Sequence, residues 1–120
     1  MSIKISIKTT GVESTPALVD FVNNKITQVE RLLEGVGEVF VEVEIGKTTA
    51  HHRSGDIFKA EINLSAASKH FRIEETADDL YAAIDIAKDE LMKQVRDRHD
   101  KDHTKLVKGA RNYKDILRGL

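Results

Sequence analysis

The chain has 120 residues, 40% of them hydrophobic and only 5% aromatic, enough for one aliphatic core in a single domain with an appendage. Its 19 Lys/Arg against 20 Asp/Glu leave a net charge of −1, and it has no Cys, which excludes disulfides, zinc ribbons and thiol nucleophiles. Charged residues, 32% of the total, interrupt every apolar run well before the roughly 20 residues of a membrane span, and no signal-peptide core opens the chain, so a soluble cytoplasmic protein is expected.

Ile3, Ile5 and Ile7 alternate with Ser2, Lys4, Ser6 and Lys8, the period of a strand with one buried face. After Gly11, Thr15 offers an N-cap hydroxyl and Pro16 suits the first helical position, where no amide hydrogen is needed. Leu18, Phe21, Val22, Ile26, Val29, Leu32 and Leu33 then recur at helical spacing, and Gly35 and Gly37 are expected to end the helix. Val39, Val41, Val43 and Ile45 form a second alternating strand, with Glu38, Glu42 and Glu44 on its wet side. Residues 46–56 read as a polar hairpin loop. Phe58 to Ala66 is a third strand, and a turn at Ala67-Ser68 leads into a short fourth over His70–Glu75.

Thr76-Ala77-Asp78-Asp79 has the spacing of a helix-opening capping box, followed by the core stripe Leu80, Ala83, Ile84, Ala87, Leu91 and Val95. The order β-α-β-β-β-α implies a parallel first pair through a right-handed crossover, then two antiparallel hairpins. The expected fold class is α+β, a two-layer sandwich of a four-stranded mixed sheet with both helices on one face. The domain is expected over 1–103, with a flexible basic tail over 104–120.

Charge is unevenly spread. From Lys88 to Leu120 there are ten Lys/Arg and six Asp/Glu, a balance of +4, against −5 for the preceding residues. A basic C-terminal quarter suits an acidic partner such as nucleic acid, or simply a solvated helix. On the helical wheel Arg98 and Asp102 return to the apolar seam, so the second helix must stop near Arg96 or project beyond the sheet. Lys25 falls inside the apolar arc of the first helix, as a snorkelling side chain or as a cation in the cleft between helices.

Catalysis finds no support. His51-His52 lie in the polar loop, and His99 and His103 have metal-sharing spacing but no third ligand. Asp85 and Asp89 read as solvated carboxylates, His70 as an edge residue, and Gly11 and Gly46 are isolated rather than parts of a phosphate loop. No metal, cofactor or small-molecule substrate is expected.

Asp79-Leu80-Tyr81-Ala82-Ala83-Ile84-Asp85, continuing through Leu91, Lys93-Gln94-Val95-Arg96 and Lys101, resembles the signature of the ribosome hibernation promoting factor family, also called S30AE proteins. Thr15-Pro16-Ala17-Leu18, Phe21-Val22 and Lys25-Ile26 resemble that family's first helix. The resemblance implies a short-form inhibitor that binds the small ribosomal subunit and its rRNA in the mRNA/tRNA groove and protects idle ribosomes, with no chemical step. It places Lys25 and Arg31 on basic positions of the first helix, and Lys93, Arg96 and Lys101 on those of the second. With Lys88 and Arg98 from the same basic quarter, these form the expected RNA-binding set. The resemblance also favours Lys25 as a cleft cation and puts Tyr81 at the helix junction. Gln28, Glu90 and Asp97 stand where many members carry a base.

Two other readings compete. A general double-stranded RNA-binding module shares the α-β-β-β-α order but has lysines where this chain has Asp78 and Asp79. A protein-interaction module would use the exposed sheet face around Glu38, Glu42, Glu44, Lys59 and Glu61. Backbone contacts to phosphates of folded rRNA would make binding strongly salt-dependent. Self-association is left open.

Overall fold

Alternation builds the sheet. In the computed structural model, backbone is described for residues 2–33, 36–48 and 57–117, and side chains for 3–33, 36–48 and 57–98. The strands β1 (Ser2–Thr10), β2 (Glu38–Thr48), β3 (Ile57–Ala66) and β4 (Lys69–Ala77) pair in sequence order. β1 lies parallel to β2, and the next two pairs are antiparallel, as the connection rules require. Helices α1 (Pro16–Glu30) and α2 (Leu80–Leu117) cover one face. The α+β sandwich expected from the element order is the observed fold.

Every second strand residue turns toward the helices. Val39, Val41, Val43 and Ile45 of β2 meet Ala60, Ile62, Leu64 and Ala66 of β3 in register, and all eight are buried. Leu18, Val22, Ile26 and Val29 of α1 and Ala83, Ile84, Ala87, Leu91 and Val95 of α2 close the core from above. Full burial of such aliphatic side chains contributes about 1.5–3 kcal/mol each relative to exposure. Gly46 sits where β2 leaves β1: a Cβ there would lie 3.0 Å from the Thr10 carbonyl oxygen, so any side chain would press on that strand.

The element ends depart from the sequence reading at three places. Thr15 caps α1 as expected, its hydroxyl accepting the Leu18 N–H at 3.2 Å, but a 3-10 turn (Arg31–Leu33) finishes the helix before the glycines. Gly37 has φ +100, and Gly35 lies outside the described residues. The β2–β3 ladder extends through Gly46, Lys47 and Thr48, which pair with Lys59, Phe58 and Ile57, into what reads as polar loop. Likewise β4 runs on through Thr76 and Ala77, opposite Lys59 and Phe58. Thr76 therefore cannot be the cap of α2. Asp79 is: its Oδ2 accepts the Ala82 N–H at 2.9 Å, while its carbonyl accepts the Ala83 N–H.

Val95 is the last buried residue of α2 among the described residues, and Arg96, Asp97 and Arg98 are exposed although Arg98 returns to the seam. The helix thus projects beyond the sheet rather than stopping near Arg96. Its 38 residues, at about 1.5 Å each, account for most of the 68 Å long axis. The helical backbone crosses the 103/104 boundary between the expected domain and tail and continues to Leu117. Leu, Lys, Arg and Ala favour such continuation.

Candidate nucleic-acid interface

The two helices run in the same direction and share one offset. Phe21 meets Tyr81 edge to face at 4.9 Å between ring centroids, Lys25 Nζ lies 2.8 Å from Asp85 Oδ1, and Lys88 Nζ lies 3.2 Å from Gln28 Oε1. Each contact joins a residue of α1 to one 60 positions later, so the helices stay in step over about two turns. Parallel helices follow from the strand directions, since each descends from the end of an upward strand.

Lys25 is the cleft cation. Its side chain is 21% exposed, its ammonium pairs with Asp85, and it sits 5.1 Å from the Phe21 ring centroid. The Asp85 carboxyl is held below its ordinary pKa, chiefly by the Lys25 hydrogen bond and then by the Lys25 and Lys88 charges, against an opposing push from burial.

Lys88 occupies a different place from the one expected of an RNA ligand. It is only 7% exposed, and its ammonium faces Asp89 at 2.6 Å, Gln28 at 3.2 Å and Asp85 at 3.7 Å. A buried ammonium requires such acceptors. Asp85 and Asp89, which read as merely solvated, are the carboxylates that anchor the lysines of this junction. The Lys25–Asp85 and Lys88–Gln28 contacts depend on how α1 docks, which no local spacing reveals. Tyr81 packs at the junction, as its motif implies.

The remaining cations lie away from the junction. Arg31, in the turn that ends α1, is exposed, and so are Lys93, Arg96 and Arg98 on α2. By the common offset, Arg31 lies level with Leu91, so Arg31, Lys93 and Arg96 gather at one end of the helical layer within about two turns of each other. Asp85, Met92 and Arg96 lie along one flank of α2, at spacings of seven and four, so Arg96 borders the same inter-helical groove as Lys25. Lys93 is about 60° further round the helix. The side chains of Lys101, His99 and His103, and all of His51-His52, lie outside the described residues.

The opposite, uncovered sheet face is mixed in charge. Glu61 accepts from Asn63 at 3.1 Å and from Arg72 at 3.2 Å, which holds its carboxyl below its ordinary pKa, Asn63 first. Ser65 Oγ lies 2.9 Å from His70 Nδ1 on the edge strand. Among the described residues no cluster of His, Asp and Glu is arranged to hold a metal ion, and no helix is long and apolar enough to cross a membrane.

Known proteins resemble this chain in sequence and fold. A ribosome hibernation promoting factor of Klebsiella oxytoca is 29% identical over 99 residues, spanning 82% of this chain and 96% of that protein. One from Escherichia coli (strain K12) is 30% identical with the same coverage. A ribosome hibernation promotion factor of Lactococcus lactis is 31% identical over 94 residues, 78% of this chain but 48% of that longer protein. Among solved structures, the Thermus thermophilus Protein Y N-terminal domain is 33% identical, with a TM-score of 0.65 over 79% of this chain and 96% of that one. A ribosomal subunit interface protein from Coxiella burnetii, 15% identical, agrees in fold with a TM-score of 0.63 over 83% of this chain and 99% of that one. The family described as Sigma 54 modulation protein / S30EA ribosomal protein matches residues 5–103, which take in most of β1, the other three strands, α1 and the greater part of α2, and the chain belongs to it.

Proposed function

We propose that this protein binds the small ribosomal subunit at the mRNA/tRNA decoding channel and holds idle ribosomes inactive, acting in the cytoplasm without a chemical step. The observation that carries the reading is the gathering of exposed Arg31, Lys93 and Arg96 where α1 ends beside the parallel α2. Arg98 and Lys101 extend the same basic run along the projecting helix. Cations on two rigid elements at fixed separation suit the phosphates of folded rRNA, whose shape they would read without base contacts. Lys25 borders the groove but is engaged by Asp85, so its contribution is secondary. Lys88 acts by positioning the helices. The similarity to hibernation factors over nearly their full length supports the assignment.

Co-sedimentation with small subunits tests it. Lys93→Glu with Arg96→Glu should reduce pelleting at least tenfold and leave the fold intact. The slope of log affinity against log salt should fall by about 1.5 as two phosphate contacts are lost. Unchanged binding of the double variant overturns the assignment of this surface. Tight binding to plain RNA duplex without ribosomes would overturn the ribosomal reading itself.

A further inference from the structure

The two edges of the sheet are finished differently. In the order β1-β2-β3-β4, the outer backbone groups of β1 and β4 have no strand beside them. Such an edge is a template for another strand unless charges, proline or a bulge blunt it. On β4 the apolar residues Phe71 and Ile73 are already buried, at 8% and 3% exposure. Lys69 and Glu75 bracket them on the same inward face, which guards that edge. On β1 the inward residues are Ile3, Ile5 and Ile7, which pack against the core yet stay only partly buried. The strand pairs with β2 residue for residue from Ser2 to Thr10, with no bulge. Its charges, Lys4 and Lys8, point to the uncovered face, so whether they repel a second strand depends on the register.

One register suits a second copy of β1. In an antiparallel pair centred on Ile5, that residue faces its symmetry mate and Ile3 faces the second copy's Ile7. The half-open isoleucines then form one continuous apolar ladder. On the other face Lys4 falls opposite the second copy's Ser6. Ser6 is the β1 neighbour of Glu42, so Lys4 of one copy and Glu42 of the other share a row with only a serine between them. Glu42 is exposed and has no side-chain partner among the described residues. The neighbouring registers are worse. Centring on Lys4 opposes two Lys4 residues, and centring on Ser6 opposes Lys4 to Lys8 twice, which is repulsive. Centring on Ile3 or Ile7 carries one isoleucine off the end of the apolar ladder.

We propose that two copies of this chain pair through their β1 edges, antiparallel about a twofold axis normal to the sheet at Ile5. The product is one eight-stranded sheet with the helices of both copies on the same side. The pair is isologous and closed, and its outermost strands are the two guarded β4 edges. Arg31, Lys93 and Arg96 lie outside β1, so the pairing edge is separate from the surface assigned to RNA. Seven facing positions span about 23 Å. A single strand seam of that length is smaller than the roughly 1,200 Å² of stable complexes, so the pair forms and dissociates with concentration.

Sedimentation equilibrium of the full chain should show the average mass rising from monomer toward dimer as concentration increases. Ser6→Lys changes an exposed residue and sets a lysine opposite the second copy's Lys4. It should hold the protein monomeric, with circular dichroism and pelleting with small subunits unchanged. Adding Lys4→Glu to that variant restores opposite charges across the seam and should bring the dimer back. Because the chain has no cysteine, Lys4→Cys in one sample and Ser6→Cys in another report the register directly. Facing positions lie within disulfide range, so mixing and oxidation should yield the heterodimer in excess of either homodimer. Monomer mass at every soluble concentration overturns the proposal. So does a dimer that Ser6→Lys leaves intact, or a heterodimer no more abundant than the homodimers. Loss of ribosome pelleting by Ser6→Lys in a strictly monomeric protein would give the edge to a ribosomal component and equally overturn it.

Discussion

Replacing Lys88 by methionine separates a lysine that builds the helical layer from the cations proposed to touch RNA. The ammonium of Lys88 contacts Asp89, Gln28 and Asp85, and the side chain is almost fully enclosed. Hydrogen bonds to charged groups contribute about 1.5–3 kcal/mol each when both partners are dry. Here Asp89 and Asp85 are 64% and 46% exposed and regain water once the ammonium is gone, while Asp85 keeps Lys25. Methionine preserves most of the alkyl volume, so no large cavity opens. The net cost is about 1–2 kcal/mol, roughly a 3–8 °C fall in midpoint for a domain of this size. Arg96→Ala, at an exposed position, should change stability by less than about 0.5 kcal/mol yet weaken ribosome binding. Thermal unfolding followed by circular dichroism, beside co-sedimentation, reads both quantities. If Lys88→Met melts like the parent and loses pelleting as severely as Arg96→Ala, the lysine is a phosphate ligand and the junction is misassigned.

Acid should loosen the same junction. The Asp85 pKa is depressed in the fold by its Lys25 hydrogen bond, so its stabilisation is complete above the unfolded value near 4 and disappears as pH falls through the folded one. Urea midpoints should be flat from about pH 5 to 8 and decline below about 4, and Asp85→Asn should flatten that decline. Glu61, held down by Asn63 and then by Arg72 and Lys59, contributes in the same direction and would leave a residual slope. At the start of α2, Asp79→Ala should cost about 1 kcal/mol in urea unfolding. Thr76→Ala should cost less than about 0.5 kcal/mol; the reverse ranking would restore Thr76 as the cap.

The strands and the core stripe were legible because burial on one face imposes a period that the residue order displays: Val41 to Ile45 and Phe58 to Ala66 alternate apolar with polar residues without exception. Element ends were less legible. Thr76 and Asp79 both fit a capping pattern, and only the ladder that carries β4 through Ala77 decides between them. The lysines illustrate the same limit at the site. Lys25 announces itself by falling within an apolar arc, whereas Lys88, about 80° from Leu80 on the wheel, lies just outside the core stripe and looks like a surface base. What encloses it is Gln28, 60 residues away, brought there by the parallel docking of α1. The exposed cations Arg31, Lys93 and Arg96 are readable individually, but their gathering at one end follows from the helical offset, a tertiary fact.

The parallel β1–β2 ladder has a kinetic consequence. Each of its pairs joins residues 36 apart, whereas the β2–β3 and β3–β4 ladders begin at pairs 9 and 3 apart. Closing the longer loop carries a larger entropic barrier, so the meander of β2, β3 and β4 is the natural nucleus. During synthesis Ser2–Thr10 is made before its backbone partners, and Gly46 follows Thr10 by 36 residues. A strand made ahead of the meander is therefore the last to join it.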